Sequence, residues 1–200
     1  MKKNYILFLL VFIASVALGQ DDSRIGLRFN KGESASFYDS DYSFIDYKGI
    51  GIEREWRVYR WTTVNLNFDY NYGDLTVYEY RNFFTLYPGI IKDISFVSFA
   101  ASIQQRFFIK NLYLRFGLIF DYDFQDRSLF RYVAFNGLGF SAGLNYDIHL
   151  GNKFVLFARA NYMFRGILKF KKNSNFDALF DYNEPTLVNE FNIGIAYKFF

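Results

Sequence analysis

Residues 187–200 read LVNEFNIGIAYKFF, and this stretch decides the predicted fold. Apolar or aromatic residues occupy every second position of it except Asn189, and mostly small or polar residues lie between them. Successive side chains of a β-strand point to opposite faces, so a strand of this sequence has one apolar face and one polar face. The pattern therefore predicts a strand that separates hydrocarbon from a polar interior.

Seven further segments show the same two-residue alternation. They are residues 24–30, 47–57, 61–72, 95–107, 112–124, 135–149 and 154–165. Segments of about ten alternating residues, separated by turn residues, are the signature of a transmembrane β-barrel. The sequence therefore predicts an all-β fold: a single antiparallel up-and-down transmembrane β-barrel of eight strands.

The connections between these segments alternate strictly in length. Three are short, around residues 58–60, 108–111 and 150–153, and four are long, at residues 31–46, 73–94, 125–134 and 166–186. Outer-membrane barrels have short periplasmic turns and longer external loops. The alternation predicts a location in the outer membrane with both chain termini in the periplasm.

The connection at residues 73–94 leaves an alternative of ten strands open. Its segments TVYEY and FFTLYPGII resemble strands, but two spans and two further connections would have to fit in about twenty residues, with Pro88 inside one span. Proline cannot donate to a strand ladder. We therefore favour eight strands, with a structured external loop in which strands extend past the membrane.

The beginning of the chain predicts export. Lys2 and Lys3 precede an apolar run at residues 5–18, and Ala17 and Gly19 supply the small residues of a cleavage site. A single membrane anchor is the alternative, but the run is shorter than the roughly 20 residues of a spanning helix. We expect a signal peptide at residues 1–19 and one mature barrel domain at residues 20–200.

Composition agrees with this prediction. Aromatic residues make up 23% of the chain, yet mean hydropathy is only −0.02, as alternation of apolar and polar residues requires. The chain has no cysteine, so neither a lipid anchor on cysteine nor a disulfide is available. A net charge of +3 with no long basic run argues against a nucleic-acid partner.

At this point the chain resembles the small eight-stranded outer-membrane barrels of OmpA and OmpX type and the PorT-like outer-membrane β-barrel families. The resemblance covers the signal peptide and the whole mature chain, and it rests on the alternation and on the terminal aromatic residues. Tyr197, Phe199 and Phe200 form the expected insertion signal, although Phe200 is out of phase with the apolar face. The resemblance implies outer-membrane lipid as surroundings and insertion by the barrel assembly machinery, and it implies no activity.

Charged residues on the polar faces predict what fills the barrel. The expected interior charges are Arg28, Arg57, Arg106, Arg115, Arg159 and Lys198 against Glu53, Glu55, Asp69, Asp121, Asp147 and Glu190. An eight-stranded barrel is just wide enough inside for its own side chains, and unpaired charges there cost several kcal/mol each. We expect a salt-bridged, non-conducting interior. Arg54 is expected on the lipid face near the periplasmic end, beside Trp56.

Catalytic, cofactor and metal sites are not predicted. Outer-membrane enzymes of this size use a histidine near the outer rim as base, whereas His149, the single histidine, falls at a predicted periplasmic turn. Asp39, Asp41 and Asp46 could supply oxygen ligands, but their spacing fits no EF-hand loop. The glycines of GLGFSAG at residues 137–143 are better explained as inward positions that make room for bulky neighbours.

The predicted function is therefore non-enzymatic: a structural or adhesion role, or an accessory subunit of an envelope complex. Alternatives are a porin-like channel for small solutes and a periplasmic barrel that binds lipid inside. Exposed aromatic residues in the long connections at residues 31–46 and 166–186 suit contact with an envelope protein or glycan. They suit equally well loops that contact each other above the rim.

Overall fold

The chain folds into a closed antiparallel β-barrel in a computed structural model. The structure describes residues 23–38, 41–82, 85–123, 137–170, 180–182 and 186–199. The predicted signal peptide and Phe200 lie outside them. The strands are β1 (Ser23–Tyr38), β2 (Asp41–Tyr59), β3 (Thr62–Asn82), β4 (Thr85–Arg106), β5 (Leu112–Asp123), β6 (Gly137–Leu150), β7 (Phe154–Phe170), β8 (Phe180–Tyr182) and β9 (Thr186–Phe199).

Eight of these strands form the wall. Each of β1 to β6 pairs with the next strand along the chain, and β9 pairs with both β7 and β1, which closes the ring. Strand β8 is only three residues long and extends the sheet beside the far end of β7. The predicted eight-stranded, all-antiparallel barrel is therefore confirmed.

The strand registers fix the geometry of the barrel. Followed once around the wall, the pairing leads from Ile25 through Arg54 and Leu66 to Leu187, and from there to Ala35. The displacement from position 25 to position 35 is a shear of ten residues. Closure with a shear requires the strands to tilt, typically by 35–45°, and leaves an interior that side chains can fill.

Alternation assigns the two faces as expected. The outward positions carry exposed large apolar side chains on every wall strand, among them Leu27, Ile50, Tyr70, Ile103, Phe116, Phe140, Leu156 and Ile193. The inward positions carry most of the buried polar and charged side chains. Among the described residues, no helix has the length and apolarity needed to cross a membrane.

Two long connections are mostly strand rather than loop. Strands β1 and β2 remain paired out to Tyr38 and Asp41, and β3 and β4 remain paired out to Asn82 and Thr85. The extension of β3 and β4 agrees with the eight-strand interpretation of residues 73–94. The prediction of a loop at residues 31–46 was wrong. The backbone groups of β1 and β2 continue to pair with each other there. The side chains of this segment do not show the alternation by which the other strands were predicted.

Candidate functional site: the barrel interior

The interior collects most of the predicted charge network. Nine of the twelve predicted residues are buried inside the barrel: Arg28, Glu53, Glu55, Asp69, Arg115, Asp121, Asp147, Arg159 and Glu190. Each lies on the inward face of its strand, where alternation places it. The structure therefore brings most of the predicted charges together in the interior of the barrel.

Two buried arginine–carboxylate pairs join strands that are not neighbours in the wall. Arg159 on β7 donates to both carboxylate oxygens of Glu53 on β2, and its Nη2–Oε1 distance is 2.8 Å. Arg28 on β1 binds Asp69 on β3 in the same forked manner, with 2.6 Å between Nε and Oδ1. A planar guanidinium matches a carboxylate with two parallel hydrogen bonds, so each pair fixes the orientation of both side chains.

Arg24 was missed by the sequence analysis. It lies on the inward face of β1 and donates to Glu55 at 2.7 Å and to Asp147 at 2.6 Å. Gln104 also donates to Glu55, at 2.6 Å. Arg24 could have been predicted from the sequence. It lies four residues before Arg28, and residues an even number of positions apart lie on the same face of a strand.

Arg165 was missed as well, because it stands at the end of the predicted seventh segment. It donates to Asp121 at 2.6 Å and to Glu190 at 3.1 Å. The hydroxyl of Tyr47 donates to Glu190 at 2.6 Å. The buried interior of the described chain thus holds five arginines against six carboxylates, rather than the predicted six charges of each sign.

Arg115 differs from the other buried arginines in its partners. Its Nε donates to the Ser102 hydroxyl at 2.8 Å, and its Nη2 lies 3.3 Å from the amide oxygen of Asn65. Both partners are neutral. In the part of the chain that the structure describes, the guanidinium of Arg115 is therefore hydrogen-bonded to neutral groups and not to a carboxylate.

An apolar cluster fills the loop end of the interior. Its members lie on inward positions: Ile45, Tyr47, Leu75, Ile94, Phe96, Ala100, Ile119, Met163 and Val188. The Tyr47 and Phe96 rings meet edge to face, with their centroids 5.1 Å apart. The prediction of a polar interior throughout was therefore wrong at this end. The signal against it was the apolar residues at the inward positions of the extended strands.

Inward glycines leave room for these side chains. A Cβ added to Gly51 would lie 1.8 Å from Oδ1 of Asp69, and one added to Gly32 would lie 2.1 Å from the Tyr47 ring. Within residues 137–143, a Cβ on Gly143 would lie 2.4 Å from the amide oxygen of Asn161. The glycines therefore mark positions where an inward side chain of the neighbouring strand lies over the glycine backbone.

Three predicted network residues lie instead at the barrel end that carries the short turns. Arg57 is exposed, and Arg106 and Lys198 are half-buried; all three line the mouth of the barrel there. Their face was assigned correctly, but at the strand ends the wall no longer excludes solvent. His149 lines the same mouth, and its Nδ1 lies 3.0 Å from Nζ of Lys198.

The predicted insertion signal is described in part. Tyr197 and Phe199 lie on the outward face of β9, with ring centroids 5.3 Å apart, and the Tyr197 ring also contacts Phe154 at 5.4 Å. Arg54 lies on the outward face of β2 at the same barrel end. Its guanidinium lies 5.4 Å from the Trp56 ring and 5.8 Å from the Phe199 ring, as cation–π contacts allow.

No group of three potential metal ligands of the His, Cys, Asp or Glu type comes together among the described residues. Asp39 lies outside them, and only the backbone of Asp41 is described. The absence of catalytic and cofactor sites stays a prediction.

Comparison with known proteins bears on the fold. No family model and no curated protein matches this chain. Among solved structures, the outer-membrane protein OprG from Pseudomonas aeruginosa aligns over 90% of this chain and 97% of its own, with 11% identity and a TM-score of 0.54. This similarity confirms that the chain has the fold of the small outer-membrane β-barrels.

Two further solved structures align less closely. The Neisserial surface protein A aligns over 88% of this chain and 97% of its own, with 16% identity and a TM-score of 0.46. The attachment invasion locus protein Ail of Yersinia pestis, solved with the heparin analogue sucrose octasulfate, aligns over 90% and 100%, with 14% identity and a TM-score of 0.46.

Proposed function

We propose that this protein is an integral outer-membrane β-barrel with a closed, non-conducting interior. Its role is that of a structural or adhesion protein, or of an accessory subunit in an envelope complex. The observation that carries this proposal is the filling of the interior by arginine–carboxylate pairs and, toward the loop end, by the apolar cluster.

Membrane insertion is supported by the outward face. Exposed Leu, Ile, Phe and Tyr side chains surround the barrel on all eight wall strands, and a soluble protein rarely exposes so large a contiguous apolar surface. The same observation disfavours a soluble periplasmic lipid carrier, whose apolar face would line the inside. Expression followed by membrane fractionation tests this step: we expect the mature chain in the outer-membrane fraction, migrating faster on gels when it is not boiled.

Closure of the interior is supported by its energetics. Separation of a buried ion pair leaves two uncompensated charges, each of which costs several kcal/mol, so thermal opening of several such pairs together is rare. Planar-bilayer recordings test it, with folding of the same sample checked by heat-modifiable migration. We expect no discrete conductance steps; regular steps would instead support the porin-like channel.

A role in contact with other envelope components is supported by the two extended hairpins. Strands β2 and β3 also remain paired beside the two hairpins. Strands β1 to β4 therefore form one sheet that continues beyond the exposed apolar side chains of the outward face. On its outward face, Lys31 and Glu33 form an exposed pair at 2.8 Å, and Asp46 follows at 4.0 Å from Lys31. These charges mark the level at which the outward face stops being apolar.

A variant in which Asn-Gly replaces residues 36–43 tests this role, because such a dipeptide joins paired strands in a two-residue turn. Proteins that are captured by the intact chain from gently solubilised membranes, and are lost with the shortened hairpin, would identify the adhesion or accessory partner. Equal capture by both chains would exclude this hairpin as the contact.

A further inference from the structure

The mouth at the turn end of the barrel is a second site, distinct from the buried network. It encloses about 70 Å³ of space and opens to solvent. Its lining includes five cationic side chains, Arg24, Arg57, Arg60, Arg106 and Lys198, against two carboxylates, Glu55 and Asp147. The lining therefore carries three positive charges in excess, before His149 is considered.

Both carboxylates of the mouth are already engaged. Glu55 accepts hydrogen bonds from Arg24 at 2.7 Å and from Gln104 at 2.6 Å. Asp147 accepts from Arg24 at 2.6 Å and from Asn145 at 2.7 Å. One arginine thus bridges the two acids, and the other four cationic side chains lie nearer the opening, where they are half-buried or exposed.

Trp61 orders two of those residues. Its ring lies 5.1 Å from the guanidinium of Arg106 and 5.4 Å from that of Arg60. Cation–π contacts of this kind restrict the side chains without consuming their N–H donors. Both guanidinium groups therefore lie within 5.4 Å of one ring at the cavity, and their N–H donors are not used by that contact.

A largely apolar notch adjoins the mouth on the outside of the barrel. Trp61 and Arg106 line both, and Phe107, Phe108 and Lys110 complete most of the notch, which has a volume of about 550 Å³. The Phe108 side chain is 99% exposed. A fully exposed phenylalanine beside ordered arginines suits a ligand with an anionic head and an apolar body.

We propose that the turn-end mouth binds a phosphate group, with Arg60, Arg106 and Lys198 as the principal donors. Arginine forks match phosphate oxygens with paired hydrogen bonds, and the small cavity suits a compact tetrahedral anion. The phosphate has two possible sources, a phospholipid headgroup from the facing leaflet or a soluble phosphate. The adjoining notch favours the phospholipid. This inference does not depend on whether the interior conducts.

Titration calorimetry of the full mature chain in uncharged detergent tests the proposal. The probes are sodium phosphate and a short-chain phosphatidylglycerol. The double variant Arg60→Gln/Arg106→Gln should weaken binding by about tenfold or more, since each loses charge-assisted hydrogen bonds. The control Lys153→Gln removes a positive charge from the third turn, outside the mouth, and should leave affinity within about twofold. Heat-modifiable migration verifies that each variant is folded.

The variant Phe108→Ser separates the two sources. Tighter binding of phosphatidylglycerol than of phosphate, reduced to the level of phosphate by Phe108→Ser, supports the lipid headgroup. Equal binding of both probes, unaffected by Phe108→Ser, supports soluble phosphate. The proposal is overturned if neither probe binds the unmodified chain at millimolar concentration, or if Lys153→Gln weakens binding as much as the double variant does.

Discussion

Arg159 and Arg115 are both buried inside the barrel, yet their surroundings give them opposite roles. Arg159 is bonded to the carboxylate of Glu53, whereas Arg115 is bonded to the hydroxyl of Ser102 and the amide of Asn65. A buried charge is stabilised mainly by an opposite charge with good geometry, and neutral partners compensate its lost hydration less well. Burial alone therefore does not tell which arginine stabilises the barrel.

Methionine substitution should separate these two roles. Arg159→Met leaves Glu53 buried without its partner, so the free energy of unfolding should fall by about 3–5 kcal/mol. Arg115→Met strands no carboxylate and should change it by less than about 1 kcal/mol, or raise it. Urea unfolding in detergent, followed by tryptophan fluorescence, measures both. A larger loss for Arg115→Met than for Arg159→Met would contradict this assignment.

Gly51 illustrates how single positions limit what the interior can hold. An added methyl group there would meet Oδ1 of Asp69 at 1.8 Å and the backbone oxygen of Phe68 at 2.8 Å. The conflict falls on the carboxylate that binds Arg28, so it would disturb an ion pair as well as the wall.

Gly51→Ala should therefore destabilise the barrel by about 1–3 kcal/mol, the usual cost of overfilling a close-packed interior. Gly26→Ala is the matched control, since its Cβ would meet its nearest neighbours only at 3.1–3.2 Å. The same unfolding assay should show the larger loss for Gly51→Ala. If the two variants were equally stable, the crowding at Gly51 would be relieved by a movement of Asp69.

At the scale of the element, β9 joins the two ends of the wall. It pairs with β7 on one side and with β1 on the other, so closure of the barrel requires its register to be correct. Phe199 pairs with Ser23 at the start of β1, and Tyr197 pairs with Ile25. The outward aromatic residues of this strand lie where the ring closes.

We predict that Phe199→Ser lowers the yield of assembled barrel several-fold, whereas Lys198→Ser, one residue away on the inward face, has little effect. The physical reason is the loss of an outward apolar contact at the closing strand, next to Arg54 and Tyr197. The fraction of heat-modifiable protein in the outer-membrane fraction measures assembly. Equal yields from the two variants would argue against Phe199 as part of the insertion signal.

At the scale of the whole molecule, the two ends of the barrel differ. The connections at residues 60–61, 107–111 and 151–153, and the mouth that they surround, lie at one end; the extended hairpins and the apolar cluster lie at the other. The interior passes from cationic at the mouth, through paired charges in the middle, to apolar at the loop end. The barrel is therefore asymmetric along its axis, and its two ends would face different sides of the membrane proposed above.

We predict that the turn end faces the periplasm and the hairpin end faces outward. The chain contains no cysteine, so single cysteines can be labelled without a background. A membrane-impermeant maleimide should label Asn82→Cys on intact cells and should label Asn152→Cys only after the outer membrane is opened. The reverse pattern would invert the orientation and place the phosphate site outside.

Much of the architecture follows from the sequence by itself. Two-residue alternation around Val64 and Ile193 assigns the faces of the strands, because the period of a strand is two wherever the strand lies. Alternation of short and long connections orders the strands into an up-and-down ring. These features are local, so they can be determined without knowing which strand meets which.

Only the tertiary structure decided the partners inside the barrel. Glu53 and Arg159 are 106 positions apart and meet because closure of the wall leaves only β1 and β9 between β2 and β7. The same closure gathers Ile45, Phe96 and Val188 into one apolar cluster and Arg60, Arg106 and Lys198 into one mouth. The two-residue period of a strand determines which face of the wall a side chain lies on. Its position along the barrel axis and its contacts with distant strands depend on shear and closure, which are properties of the whole ring.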